Sequence, residues 1–277
     1  MAAKGWFITG ASRGLGRIWA TAAAERGDHV VATGRDASAL DDLVAAYPER
    51  VHALALDVTD RNAAFAVLAQ AKELLGSLDV VVNNAGFGLF GVVEEVTEEQ
   101  VRQQIETNVF GALWVTQAAL PIMREQGSGH LLQVSSIGGV HAFPGLGLYH
   151  ASKWALEGFS QALAAEVAEF GIHVTLIEPT GYATDWAFGS AVRAEENPAY
   201  ADLREKVMAA RAKVVADRGN PAATAPVILE LVDMDTPPLR LFLGEGPHEM
   251  IVAEYAQRLA EWDQYDELSR SAHRLPS

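Results

Sequence analysis

Tyr149 and Lys153 stand four residues apart in Tyr-His-Ala-Ser-Lys, and Ser136 precedes the tyrosine by thirteen positions. Positions four apart share one face of a helix, so a phenol and an ammonium would point toward one reactant. A tyrosine titrates at about 10 in water, and an adjacent cation favours the phenolate by roughly 1 to 3 units. Such a pair can give or take a proton near neutral pH. The spacing alone is a weak signal, because a surface helix can carry it by accident. The rest of the chain must supply the context.

Short β-branched runs at 6–9, 29–33, 51–56, 78–82, 129–135, 173–177 and 239–243 read as strands. Ala-rich amphipathic stretches at about 14–26, 37–46, 60–76, 98–125, 149–169 and 221–232 read as helices between them. This alternation predicts an α/β fold, a doubly wound seven-stranded parallel sheet flanked by helices. No repeat or linker interrupts it, so residues 1–277 read as one domain, with a C-terminal helix at about 246–268. Ile251, Tyr255, Leu259 and Trp262 share a face of that last helix, which either the core or a second subunit must cover.

Composition narrows the function. The net charge of −15 argues against nucleic acid and anionic membranes as partners. There is no cysteine, and the eight histidines show no metal-ligand spacing, so no metal site is expected. The N-terminus passes from Lys4 straight into Gly-Trp-Phe-Ile-Thr-Gly, and no apolar run reaches about 18 residues, so the expected location is cytoplasmic.

The first strand ends in Thr9-Gly10-Ala11-Ser12-Arg13-Gly14-Leu15-Gly16 and runs into a helix. Glycines allow a tight turn and close backbone approach to a pyrophosphate, and a helix N-terminus adds partial positive charge. Together with Asn83-Asn84-Ala85-Gly86, Asn108, Ser136 and Tyr149-x-x-x-Lys153, this motif resembles the short-chain dehydrogenase/reductase family, over roughly residues 5–185 and more loosely to 244. The resemblance implies a Rossmann fold and an oxidoreductase that moves a hydride between a nicotinamide and a ketone, aldehyde or secondary alcohol.

It also implies roles. Ser136 would hold the substrate oxygen, Tyr149 would transfer the proton, and Lys153 would tune Tyr149 and hold the ribose. Asn108 would sit in a helix distortion that keeps a water in a proton relay. Gly10, Ser12, Arg13, Gly14, Leu15 and Gly16 would cradle the cofactor, with Asp57 and Val58 near the adenine. Asn83, Asn84, Ala85 and Gly86 would line its adenosine side, and Pro179, Tyr182 and Thr184 its carboxamide. Where the family has Pro-Gly, this chain has Pro179-Thr180-Gly181, so either Thr180 keeps ordinary torsions or Gly181 absorbs an unusual one.

An acidic residue at the end of the second strand would favour NAD(H), by bonding the ribose hydroxyls and repelling a 2′-phosphate. Here Gly34-Arg35 occupies that place, and Arg13 offers a second guanidinium, so NADP(H) is preferred. Asp36 keeps NAD(H) as the alternative. In the family, 185–215 forms a lid over the substrate, and this segment carries Trp186, Phe188 and Tyr200. Phe87, Phe90, Phe143, Leu146 and Leu148 would face it, making an apolar pocket with one polar focus. The resemblance also implies a homodimer or homotetramer. A redox-sensing NADP(H)-binding regulator without turnover is the other reading, although it has no need of a proton-transfer device.

Overall fold

The computed structural model describes residues 3–184, 189, 191–216 and 218–273. Seven strands form one wholly parallel sheet: β1 (Gly5–Ile8), β2 (His29–Gly34), β3 (Val51–Ala55), β4 (Val80–Asn83), β6 (Gly129–Val134), β7 (Ile172–Pro179) and β9 (Arg240–Leu243). Their order is β3-β2-β1-β4-β6-β7-β9. The direction of winding reverses between β1 and β4, which opens a crevice beyond their carboxyl ends.

Alternation along the strands builds two cores. Trp6, Ile8, Val30, Val80, Val82 and Leu132 pack on one face, beneath helices α1 (Gly14–Arg26) and α8 (Thr224–Leu231). Phe7, Val31, Val81 and Leu131 pack on the other, beneath α3 (Arg61–Leu75), α5 (Ala112–Gln126) and α6 (Gly147–Val167). The strands are therefore mainly apolar on both faces, as a sheet covered on both sides requires. The Trp19 indole donates to Thr224 Oγ1 at 2.8 Å and ties α1 to α8.

Two features depart from the sequence expectation. The helix predicted over 98–125 is broken into α4 (Glu98–Ile105), a π-helical turn (Glu106–Gly111) and α5. Hydrophobic periodicity runs on through a single wider turn, so it does not reveal the break. Two strands of two residues, β5 (Leu89–Phe90) and β8 (Val192–Arg193), also pair in parallel beside the main sheet. They are too short to show a period.

The remaining helices are α2 (Asp41–Ala46), α7 (Ala201–Ala216), α9 (Pro247–Gln264) and α10 (Asp266–Ser271). Of the C-terminal stripe, Ile251 is buried by the chain's own core, whereas Tyr255, Leu259 and Trp262 stay exposed. Among the described residues no helix is long and apolar enough to cross a membrane.

Candidate active site

The carboxyl ends of the strands border one cleft of about 2240 Å³. That exceeds a typical small-ligand pocket of roughly 300 to 1,000 Å³, so a dinucleotide and a second molecule can share it. Its floor is the turn from β1 into α1. Gly10 and Gly14 have φ of +64° and +59°, torsions that glycine adopts without strain. A Cβ on Gly16 would collide with the Asn84 amide and lie 2.8 Å from the Gly10 carbonyl oxygen. The first turn of α1 holds no acidic residue, so its positive end stays uncompensated. These are the features of a pyrophosphate cradle, and the residues present fit a dinucleotide.

Asn84 braces that cradle by donating to the carbonyls of Thr9 (2.9 Å) and Gly10 (3.0 Å). Ala85 and Gly86 border the cleft beside it. Asn83 turns away instead, donating to Thr116 Oγ1 at 2.9 Å and Gln133 Oε1 at 3.0 Å in the buried layer. Successive strand residues face opposite sides, so the two asparagines cannot both reach the cleft.

Ser12, Arg13, Leu15 and Arg35 line the end of the cleft near β2. Asp36 is tied back at one oxygen. Its Oδ1 caps the following 3₁₀ turn, accepting from Ser38 N (2.9 Å) and Ser38 Oγ (2.7 Å), and these bonds lower its pKa. Asp57 and Val58 also border the cleft. Asp57 Oδ1 is engaged by the Thr59 amide and hydroxyl at 3.0 and 2.8 Å, while Asp60 caps α3.

Tyr149 and Lys153 project from α6 into the middle of the cleft. The Ser136 hydroxyl hydrogen-bonds the Tyr149 phenol, and Ser136 Oγ accepts from Gly138 N at 3.1 Å. Lys153 Nζ donates to the Val134 carbonyl at 2.7 Å and lies 5.8 Å from the Tyr149 ring centroid. The expected lowering of the tyrosine is not found. Burial pushes Tyr149 up to about 12, and the bond from Ser136 offsets only part of this. Burial likewise brings Lys153 down to about 8, partly countered by the Glu157 charge. Desolvation of both groups outweighs their proximity.

Asn108 sits in the π-helical turn, buried, with Nδ2 donating to the Phe87 carbonyl (3.0 Å) and Ser152 Oγ (3.2 Å). Its Oδ1 accepts from Phe87 N at 3.1 Å. The side chain thus pins the backbone that leads from the cradle to the substrate side.

Beyond Pro179, Thr180 and Gly181 both keep ordinary torsions, and the positive φ falls on Gly244 at +109°. A Cβ there would collide with the Thr180 side chain, whose hydroxyl donates to the Leu243 carbonyl at 3.1 Å. Of the two alternatives the sequence leaves open, Thr180 thus takes the first and keeps ordinary torsions. Tyr182 and Thr184 still line the cleft.

Phe87, Phe90, Phe143 and Leu146 wall the opposite side, but Leu148 does not reach it. One residue along a helix is a rotation of about 100°, which turns Leu148 from the direction of Tyr149. Trp186 and Phe188 lie outside the described residues.

Part of the expected lid segment is anchored beside this wall by residues that no local spacing announces. Glu95, its side chain 1% exposed, accepts at Oε1 from Asn197 N and from Arg204 Nη1, both at 2.8 Å, and at Oε2 from Val92 N at 3.0 Å. Arg204 also reaches the Asn197 carbonyl at 2.8 Å, and Tyr200 donates to Glu94. These bonds hold the segment 192–204 against 88–95, alongside the β5–β8 pairing. Glu95 and Arg204 are 109 positions apart in the chain.

The comparisons with known proteins agree with this geometry. A family model described as short chain dehydrogenase matches residues 4–193. The chain is 42% identical over 260 residues to Oxidoreductase BOA17 of Botryotinia fuckeliana (strain B05.10), covering 93% of each. It is 36% identical over 239 residues to a 3-ketodihydrosphingosine reductase of Bacteroides thetaiotaomicron, covering 86% of each. A solved short-chain dehydrogenase from Streptomyces avermitilis superposes with a TM-score of 0.90 at 44% identity, over 98% of both chains. Cradle, Ser-Tyr-Lys cluster and sheet order thus occur together in a chain that belongs to the short-chain dehydrogenase family, and it is a nicotinamide-nucleotide-dependent oxidoreductase.

Proposed function

We propose that the chain is an NADP(H)-dependent reductase of apolar ketones or aldehydes, which also runs in reverse on secondary alcohols. The observation that carries this reading is the meeting of the cradle with Tyr149 and Lys153 in one cleft, the Tyr149 phenol being hydrogen-bonded to Ser136. When bound, the nicotinamide nucleotide supplies or accepts the hydride. Gly10 to Gly16, Asn84, Gly86, Lys153 and Thr184 would hold it, and Arg13 and Arg35 would take the 2′-phosphate.

Ser136 holds the carbonyl oxygen and stabilises the charge that develops there. Tyr149, protonated throughout the neutral range, then donates its proton to that oxygen, which favours reduction as the working direction. Lys153 in its charged form eases the loss of that proton. Tyr149 stays protonated to about 12, whereas Lys153 gives up its charge near 8. Reduction is therefore expected to hold level at lower pH and to fall as pH rises through about 8. A pH profile of kcat/KM checks this, and a rise across the same interval would contradict it.

An apolar substrate is supported by the wall of Phe87, Phe90, Phe143 and Leu146, and the name of the Bacteroides relative specifies a ketone. Glu95 would act here through the lid segment it anchors. Glu95→Gln is expected to raise KM for the ketone by about tenfold, the equivalent of one lost charge-assisted hydrogen bond, and to leave NADPH affinity unchanged. Steady-state kinetics with NADPH titration separates the two. The exposed Tyr255, Leu259 and Trp262 support a homodimer or homotetramer, and the net charge of −15 supports a partner set without nucleic acid. The experiment for the activity is a screen of NADPH oxidation over apolar ketones and aldehydes, with NADH in parallel. Consumption that no carbonyl compound stimulates would favour the sensor reading instead.

A further inference from the structure

Helix α6 repeats its four-residue step once more, so that Tyr149 and Lys153 are followed by Glu157, all three buried. The Glu157 carboxyl lies against the end of β6, close enough to Gly139 that a Cβ there would sit 3.2 Å from Oε1. From β7, Glu178 brings a second carboxyl, 1% exposed, to the same place. From β9, Arg240 supplies the cation, with Nε 3.0 Å from Glu157 Oε2 and 3.6 Å from Glu178 Oε1. Its Nη2 is anchored on Gln161 Oε1 at 2.8 Å.

Two ionised carboxylates are acceptors only and cannot bond one another. Glu157 Oε1, Glu178 Oε1 and Ser135 Oγ are buried without a hydrogen-bond partner at good geometry. One proton held between the carboxyls supplies the missing donor, and the Ser135 hydroxyl can rotate toward Glu157. Burial raises both carboxyls; Glu178 also faces the Glu157 charge and lies farther from Arg240, at 3.6 Å against 3.0 Å, so Glu178 is the one that holds that proton. A single negative charge then remains on Glu157, between Arg240 and Lys153.

We propose that Glu157 is a positioning residue for the Tyr149–Lys153 pair: its carboxylate, clamped by Arg240 and backed by a protonated Glu178, keeps the buried Lys153 ammonium charged. This rests on reading Tyr149 and Lys153 as the proton-transfer pair. Lys153 is enclosed by Tyr149 and Glu157 on its own helix, by the β6 carbonyl of Val134, and by Asn108 and Gly86 across the cleft. Behind Glu157 stand Glu178 of β7 and Arg240 of β9. Among the described residues Glu157 is thus the carboxylate whose charge acts on Lys153.

The test titrates Lys153 directly, by NMR of protein carrying carbon-13-labelled lysine, with the Lys153 signal assigned from Lys153→Met. Wild-type protein should show a midpoint near 8. Glu157→Gln should lower it by about 1 unit or more, the effect of removing an adjacent opposite charge. Glu178→Gln, whose amide imitates the protonated carboxyl, should leave it in place. Arg240→Met, at the half-exposed edge of the cluster, lets Glu157 take up a proton and should move the midpoint the same way as Glu157→Gln, which covers the case in which that variant does not fold. An unmoved midpoint in Glu157→Gln or Arg240→Met, or an equal shift in Glu178→Gln, overturns the proposal. Because the titration needs no turnover, its failure is distinct from normal turnover in Tyr149→Phe, which would overturn the underlying catalytic reading.

Discussion

Tyr149→Phe is expected to lower kcat for ketone reduction by about 10²- to 10⁴-fold, the usual contribution of a positioned acid or base, while the NADPH dissociation constant stays essentially unchanged. The substitution removes one hydroxyl from a ring that is 6% exposed and packed against Phe90 and Leu146. Packing is retained, since the phenyl ring fills the same space. Ser136 keeps its bond from Gly138 N, and Lys153 keeps the Val134 carbonyl, so neither neighbour is left stranded. What is lost is the proton donor. Stopped-flow or steady-state kinetics beside a fluorescence titration of NADPH measures both quantities. Turnover near the wild-type rate would remove Tyr149 from the mechanism.

Replacing Arg13 and Arg35 together by alanine is expected to cost NADPH about 10- to 100-fold in kcat/KM per guanidinium, the worth of a hydrogen bond between charged partners. NADH should change by no more than a few-fold, because it carries nothing for these side chains to hold. Both arginines line the cleft where β2 and the cradle turn come together. Asp36, the residue that could have favoured NAD(H), spends its Oδ1 on Ser38. The ratio of kcat/KM for the two nucleotides, wild type against double variant, is the measurement. Equal losses with both would mean that the arginines support the fold of the turn rather than the phosphate.

Much of the architecture can be read directly from the chain, because strands buried on both faces are mainly apolar and their glycine-rich exits stand out. The cradle is legible for the same reason: its glycines answer a steric demand, as the collision of a Gly16 Cβ with Asn84 makes plain. Sequence proximity misleads where burial competes with charge. The neighbouring Lys153 suggests a lowered Tyr149, yet desolvation raises it to about 12. The sequence carries the neighbour and not the depth.

Other parts depend on residues that meet only after folding. Glu157 lies one further four-residue step along the Tyr149–Lys153 ladder and could have been found there. Glu178 hides in the apolar run of β7, and Arg240 comes from β9, so their meeting belongs to the sheet order. The Glu95 anchor is likewise tertiary. The close approach of Gly244 to the Thr180 side chain is tertiary as well, since a Cβ at 244 would collide with the threonine from the neighbouring strand.

This cleft is expected to reduce a carbonyl group rather than merely to sense a nucleotide. The most direct measurement uses NADPH deuterated at its transferring position, an apolar ketone, and mass analysis of the alcohol formed. One deuterium on the carbinol carbon per nucleotide consumed, and none in Tyr149→Phe over the same time, is the predicted result. Tight NADPH binding with no label in any product would contradict it.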